Sequence, residues 1–523
     1  MLPYTPLHYL LFHHPLDENP PHSPFPDKII RGQVSKGGRE ILPPLAKGGG
    51  GGFTTSPHFS ALVMTSGNLA EEPIVRDNDE AIKKLAGMVD GFLLHDRDIF
   101  MGVDDSVVRV RNGECGMRND NFEFPTSNSE LSFRRRSRGY APDPIALTGD
   151  GPEVLGCGAD LKNTFTLTKG GFAIPSQHIG DMENYETVRF YEESLENLKA
   201  VYRVEPKFIV HDLHPGYLST QWARNYSALR IPHSALKLYG IQHHYAHIGS
   251  VMAEHGLTQK IIGVAFDGTG YGTDGNLWGA EFLIADIEGF ERVGQFQYIP
   301  LPGGEAAIRE PWKTAVSCIE AAAGTAAWDY LDQIGFVRKY GKDTLEKVMA
   351  IARSQELSPL ASGAGRLFDA VSALLDICDR NTFEGEAAMA LESFTREGID
   401  ETYEVAVIAE NSYSVVDFAP AIIGIMGDLG RAVPKDIIST KFHNSVAAVI
   451  QTIVRRLRSS HGLDEVALSG GTFQNLYLLN RTVRLLASDG VKVFTNRKVP
   501  CNDGGISLGQ AYLVRERLRK CGI

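Results

Sequence analysis

The chain has 523 residues, 43% of them hydrophobic and 22% charged, and its 52 Lys plus Arg against 64 Asp plus Glu leave a formal charge of −12. Such a length holds about three domains and excludes a mini-scaffold, and the near-average composition argues against global disorder. The acidic balance argues against a basic face for nucleic acid or an anionic membrane, no stretch reaches the ~18 apolar residues of a spanning helix, and residues 1–11 lack a basic region, so the expected compartment is the cytoplasm.

Residues 2–12 read as an ordered, partly helical segment. From about 13 to 59 the pattern gives way to Pro, Gly, Ser and Lys, with a glycine run at 48–52, and reads as a disordered insertion or linker. A Gly-rich phosphate loop is the rival reading there, but no strand or P-loop Lys-Ser/Thr frames it. Order resumes with a strand at 61–64, a capped helix at 79–86, and strands at 92–94 and 106–111, which together make a small α/β unit. A polar stretch, 119–132, and the basic run Arg134-Arg135-Arg136-Ser137-Arg138 lead to a long block from about 152.

That block repeats an order of elements. Its first half predicts strands at 154–157 and 164–168, a hairpin at Gly170-Gly171, a third strand, and a helix whose buried face is Val188, Tyr191, Leu195, Leu198 and Val201, then a strand at 208–211. The second half predicts a strand at 261–266, the turn Asp267-Gly268-Thr269-Gly270-Tyr271-Gly272, strands at 278–285 and 296–299, helices, and a strand-helix-strand-helix run over 465–519. Two successive βββαβα-like units point to the architecture shared by actin, Hsp70 and sugar kinases, in which two lobes clasp a nucleotide. The six cysteines, Cys115, Cys157, Cys318, Cys378, Cys501 and Cys521, show no CxxC pair and read as reduced thiols.

The metal candidate is His243-His244-Tyr245-Ala246-His247, because histidines four apart on a helix project from one face. Two partly exposed histidines at a helix start are the plainer alternative. Asp267, ending an apolar strand, and Asp503, in Asn502-Asp503-Gly504-Gly505, are candidate hard ligands, against ordinary turn or capping roles. Such a set suits iron or zinc acting as a Lewis acid. Phosphate candidates are the turn 156–164 with Lys162, the turn 267–272, Ser469-Gly470-Gly471-Thr472 with Asn475 beyond it, and Thr65-Ser66-Gly67-Asn68. The arginine run offers planar phosphate contacts, or is a solvated charge run between domains.

Long motifs in this order resemble the HypF family of hydrogenase maturation carbamoyltransferases. They include Thr65-Ser66-Gly67-Asn68-Leu69-Ala70-Glu71-Glu72-Pro73, Arg135-Arg136-Ser137-Arg138-Gly139-Tyr140-Ala141-Pro142, Ser176-Gln177-His178-Ile179-Gly180-Asp181, His211-Asp212-Leu213-His214-Pro215, Gln242-His243-His244-Tyr245-Ala246-His247 and Gly365-Arg366-Leu367-Phe368-Asp369-Ala370. The resemblance implies an α/β fold in two parts: a partial YrdC-like domain over 1–141, carrying the insertion, and a two-lobed actin/Hsp70-like (ASKHA, Kae1-like) domain over 152–523. It implies ATP and carbamoyl phosphate or carbamate as substrates and a carbamoyl-adenylate intermediate. The acceptor is the C-terminal cysteine of a HypE-type partner, so none of the chain's own cysteines need be catalytic.

Carried over by motif, Ser66, Asn68, Arg136 and Arg138 belong to adenylation, and His243, His247, Asp267 and Asp503 hold one divalent metal. Gly268, Gly270, Asp369, Gly470, Gly471 and Asn475 surround the nucleotide of the second cleft, with Lys162, and catalytic roles fall to Lys162, His178, Asp181 and Arg309. The family's acylphosphatase domain, Cys-rich zinc-finger region and first half of the YrdC-like domain are missing from this sequence, which leaves transfer as the expected step. Two rival functions are threonylcarbamoyl transfer to tRNA, by separate YrdC-like and Kae1-like chains, and a non-catalytic remnant that binds nucleotide and docks HypE.

Overall fold

The computed structural model describes residues 29–31, 65–89, 91–94, 96–110, 131–229, 236–410 and 413–523. The segment expected at 2–12, the strand expected at 61–64 and Cys115 lie outside these residues. The chain divides into two compact units, Met1–Asp104 and Asp105–Ile523.

In the first unit, helix Asn78–Leu85 starts where Asp77 accepts a hydrogen bond from the Glu80 amide at 2.8 Å, as the Asp/Asn-rich start predicts. Strand β1, Ile29–Arg31, runs parallel to β2, Phe92–Leu94. Residues 29–31 of the stretch read as a disordered insertion or linker thus form a short strand, whose signal, the β-branched pair Ile29-Ile30, is easily overlooked among its Pro- and Gly-rich flanks.

The second unit opens with an antiparallel pair, β3 (Val107–Val110) and β4 (Leu131–Arg135). The arginine run therefore begins on a strand instead of forming a solvated linker. Phe133 is buried edge-on against Tyr140, 4.7 Å between ring centroids, and anchors the strand despite its charged neighbours.

The first lobe is a five-stranded sheet of β5 (Ile145–Gly151), β6 (Val154–Gly156), β7 (Thr166–Pro175), β8 (Phe208–Asp212) and β9 (Lys237–Ile241), in the order β5-β7-β6-β8-β9. No hairpin forms at Gly170-Gly171. Gly170 takes a φ of 53° within one continuous ten-residue strand, and the place expected for a third, later strand is filled by β5, which precedes the others. Helix Tyr185–Tyr202, capped by Asn184, crosses over to β8 and buries Tyr191, Leu195 and Leu198. Val201 is 61% exposed; the helical period carries the buried face to Tyr202 instead.

The second lobe is built on β10 (Ile261–Tyr271), β11 (Leu277–Ala285) and β12 (Phe290–Phe296), with short β13 (Ile299–Pro300) and β14 (Leu360–Ala361), then β15 (Ala406–Glu410), β16 (Tyr413–Asp417), β17 (Glu465–Ser469) and β18 (Lys492–Thr495). Its main path is β15-β16-β12-β11-β10-β17-β18. The strand expected at 296–299 is thus two strands, one ending at Phe296 and a two-residue one beyond it.

Within each lobe one strand, β6 or β10, pairs antiparallel on one side and parallel on the other, with a second parallel strand beyond. This shared order is the two-lobed actin/Hsp70-like arrangement that the repeat predicts. Helices His243–His255 and Ile506–Lys520 pack together between the two sheets, the first against β10 and β17 and the second against β6 and β7. They cross closely because Gly509 has no side chain: a Cβ there would lie 1.9 Å from the Ala246 carbonyl oxygen. Ile248, Val251 and Met252 meet Leu508, Tyr512 and Leu513 in this central core. Among the described residues no helix is long and apolar enough to cross a membrane.

Candidate metal centre

Three local devices bring four side chains together. His243 and His247 open helix His243–His255, whose cap Gln242 accepts from the Tyr245 amide at 2.9 Å, and both imidazoles are fully buried, unlike the partly exposed pair that spacing alone leaves open. Asp267 sits in an irregularity of β10: Phe266 pairs with Ala280 but Gly270 with Trp278, so four steps along one strand oppose two along the other. Such a bulge re-aims the side chains it contains. Asp503 begins the turn Asp503–Gly505, where Asn502 accepts from the Gly504 amide at 3.0 Å.

His247 Nε2 lies 2.8 Å from Asp267 Oδ2 and 3.7 Å from Asp503 Oδ1, and His243 Nε2 lies 3.5 and 3.6 Å from the same two oxygens. All four ligand atoms fall within 4.8 Å of one another. Bonds of about 2.1 Å to a tetrahedral ion place its ligands about 3.4 Å apart, so the spacing fits a single ion. His243 Nε2 is buried with no hydrogen-bond partner among the described residues, as a metal ligand should be.

Neighbouring groups orient these ligands. The His243 Nδ1–H donates to Asp212 Oδ2 at 2.9 Å, which turns the Nε2 lone pair inward, and the His214 amide donates to Asp212 Oδ1 at 2.9 Å. Amides of Gly268 (2.8 Å) and Gly471 (3.2 Å) hold Asp267 Oδ1, leaving Oδ2 to face the histidines. Burial alone would lower the His243 pKa, yet Asp503, Asp212 and Asp267 hold it well above the usual imidazole range. Burial likewise works to raise the Asp267 carboxyl, but His243 and His247 keep it well below the usual range. The cluster is built to hold positive charge, carried by a proton or by a metal cation.

An open cleft borders the cluster, with Arg134, Lys162, Arg366 and Glu392 on its walls and Gly268, Gly471 and Asn475 near the ligands. Lys162 pairs with Glu384, and its amide donates to Asp181 Oδ1 at 2.6 Å. His178 stands near; burial, with the charges of Arg135 and Lys162, pushes its pKa down to about 3, so it is neutral at pH 7. Asp369 pairs with Arg366 at 2.9 Å, and burial pushes its carboxyl up to about 6 against that charge.

Other expected residues are committed elsewhere. Gly270 leaves room for the histidines: a Cβ there would lie 2.6 Å from His244 Cε1 and 2.8 Å from His243 Cδ2. Gly470 has a φ of 104° and donates to the Cys501 carbonyl. Asn475 accepts from the Leu478 amide, capping helix Leu476–Ser488, and its amide donates to buried His443 at 2.8 Å. Arg136 is buried and donates to the carbonyls of Tyr140 (2.7 Å) and Asp143 (2.8 Å), which pins the turn after β4. Arg138 is exposed and paired with Asp105. Arg309 is exposed, 3.7 Å from Glu305, and does not line the cleft. In the first unit Ser66 is exposed, and Asn68 closes its own turn by donating to the carbonyls of Leu69 and Glu72.

Asp212 and Arg134 are the site residues to which sequence reasoning gives no individual role. Asp212 carries the same mark as Asp267, a carboxylate at the end of an apolar strand, and that mark could have found it.

Residues 263–510 match the family model described as "Carbamoyltransferase, Kae1-like Domain, second subdomain", residues 149–254 match "HypF Kae1-like domain", and residues 1–119 match the Sua5/YciO/YrdC model described as "Telomere recombination". Carbamoyltransferase HypF2 of Cupriavidus necator is 34% identical over 99% of this chain and 60% of its own length. A HypF homolog from the same organism is 34% identical over 70% of this chain and 92% of its own length. A crystal structure of full-length HypF in the phosphate- and nucleotide-bound form matches with a TM-score of 0.77 at 41% identity, covering 87% of this chain and 67% of that one. HypF from T. kodakarensis matches with a TM-score of 0.76 at 32% identity, covering 87% and 57%. The chain spans 56–60% of the length of the first three curated relatives.

Proposed function

The chain belongs to the HypF carbamoyltransferase family, and on that premise we propose that its second unit carries out a carbamoyl transfer from carbamoyl-adenylate to a protein thiol. The intermediate derives from ATP and from carbamate released by carbamoyl phosphate, and the acceptor is the C-terminal cysteine of a HypE-type partner in the cytoplasm. The observation that carries this reading is the convergence of His243, His247, Asp267 and Asp503 at the edge of an open cleft whose walls carry Arg134, Lys162 and Arg366.

An iron or zinc ion held by those four residues would supply Lewis-acid polarisation of the carbamoyl carbonyl. Asp212 keeps the His243 ring and tautomer in place, and the Gly268 and Gly471 amides do the same for Asp267. Lys162 and Arg366 line the cleft wall, each paired with a carboxylate. The partner's thiolate forms a bond to the carbamoyl carbon, the carbon–oxygen bond to phosphate breaks, and AMP leaves with the electron pair. Adenylation falls to the Ser66 and Asn68 region and is a step apart from this one, while Arg136, spent on carbonyls, shapes the turn that carries Arg138.

A single-turnover assay tests the reading: chemically prepared carbamoyl-adenylate is offered to the chain with a HypE-type partner, and the partner is read by intact mass. A carbamoyl adduct on the terminal cysteine, absent with His243→Ala/His247→Ala, is the expected result. No adduct from a folded, metal-loaded chain would overturn it in favour of a docking remnant.

A further inference from the structure

Among the cations of the cleft wall, two are already neutralised. Lys162 pairs with Glu384, and Arg366 with Asp369. The pair β3–β4 brings one more guanidinium, that of Arg134, to the same wall, with the Arg109 charge beside it. Arg109 lies 2.9 and 3.1 Å from the two oxygens of Glu392, a carboxylate that also receives the Leu476 amide. Arg134 has no carboxylate within ion-pair distance among the described residues; its guanidinium touches only Met389 Sδ, at 3.8 Å.

Its backbone, by contrast, is fixed. Asn502, next to the metal-ligand candidate Asp503, donates from its side-chain amide to the Arg134 carbonyl at 3.1 Å. A half-buried guanidinium held beside a candidate metal centre and left without an anion is a site for one. Burial and the adjacent Arg109 charge lower the Arg134 pKa, the Glu392 charge offsets them only in part, and a bound anion would add to that offset.

We infer that Arg134 is a phosphate-binding residue of this cleft, taking the phosphate of a nucleoside monophosphate whose acyl end reaches the His243–Asp503 cluster. This rests on the transfer reading above and assigns the arginine run a second place of action: Arg134 on the transfer cleft, apart from the adenylation roles expected of Arg136 and Arg138. Arg134 would then meet the charge that collects on AMP as the carbon–oxygen bond breaks, which no residue already paired could do as well.

Isothermal titration of the full chain with AMP and with adenosine separates phosphate recognition from base recognition. Arg134→Gln should weaken AMP binding about tenfold or more and leave adenosine within about twofold, and Arg134→Lys should recover part of the loss. Should Arg134→Gln fail to fold, Arg134→Lys carries the test alone, since losing the bidentate geometry should still weaken AMP selectively. Equal losses for both ligands, or none for AMP, overturn the assignment. If the parent chain transfers the carbamoyl group but binds AMP no better than adenosine, the Arg134 assignment falls and the transfer reading stands; if it does neither, both fall.

Discussion

At the scale of single residues, the candidate centre depends on side chains that never touch substrate. Asp212 and His243 are both fully buried, and their hydrogen bond fixes which imidazole nitrogen faces Asp267 and Asp503. Replacing such an outer carboxylate usually costs 10–100-fold in metal affinity. Asp212→Asn should therefore weaken metal binding about 10–100-fold in a competitive chelator titration while His243 and His247 stay in place; unchanged affinity would show that Asp212 merely fills space. His243 and His247 are legible in the sequence because helical spacing is local, and Asp267 and Asp503 stand out as carboxylates beside glycines. Asp212 carries an end-of-strand mark too, but that mark gives no role, because its partnership with His243 spans 31 residues and two elements. The arginine run shows the opposite limit. Five adjacent residues look alike in composition, yet the fold buries Arg136 against carbonyls, pairs Arg138 with Asp105 and turns Arg134 to the cleft.

At the scale of elements, the site is delivered by one bulged strand and one helix crossing. The irregularity of β10 between Phe266 and Gly270 sets the aim of Asp267, and the contact of helices His243–His255 and Ile506–Lys520 sets the position of both histidines. At that contact Gly509 leaves no slack, since a Cβ would also lie 2.7 Å from the Ser250 amide nitrogen. Gly509→Ala should cost about 3 kcal/mol in urea denaturation and weaken metal binding with it, because the first helix must shift to admit a methyl group. A variant as stable as the parent would contradict this account of the crossing. Strand and helix periods show most of these elements in the sequence, but not which strand fills which place. The Gly170-Gly171 pair is a normal hairpin signal, overridden by pairing of β7 with β5, and β12 ends where a strand is expected to begin.

At the scale of the molecule, the two lobes share one strand order, and the candidate ligands lie where they meet. His243 and His247 come from the helix that follows the first sheet, Asp267 from the second sheet's β10, and Asp503 from the turn before the last helix. The repeat of strand, turn and helix makes this architecture legible from sequence, while the meeting of the four ligands is a product of folding over more than 250 residues of chain. The most direct test is the metal content of the purified chain, measured by mass spectrometry after gel filtration, together with its melting temperature before and after chelation. One divalent ion per chain is predicted, with a Tm that falls on chelation because the ion binds only the folded state, and with neither the ion nor the fall in the His243→Ala/His247→Ala variant. A parent chain that retains no metal, or a double variant that retains as much as the parent, would contradict the centre described above.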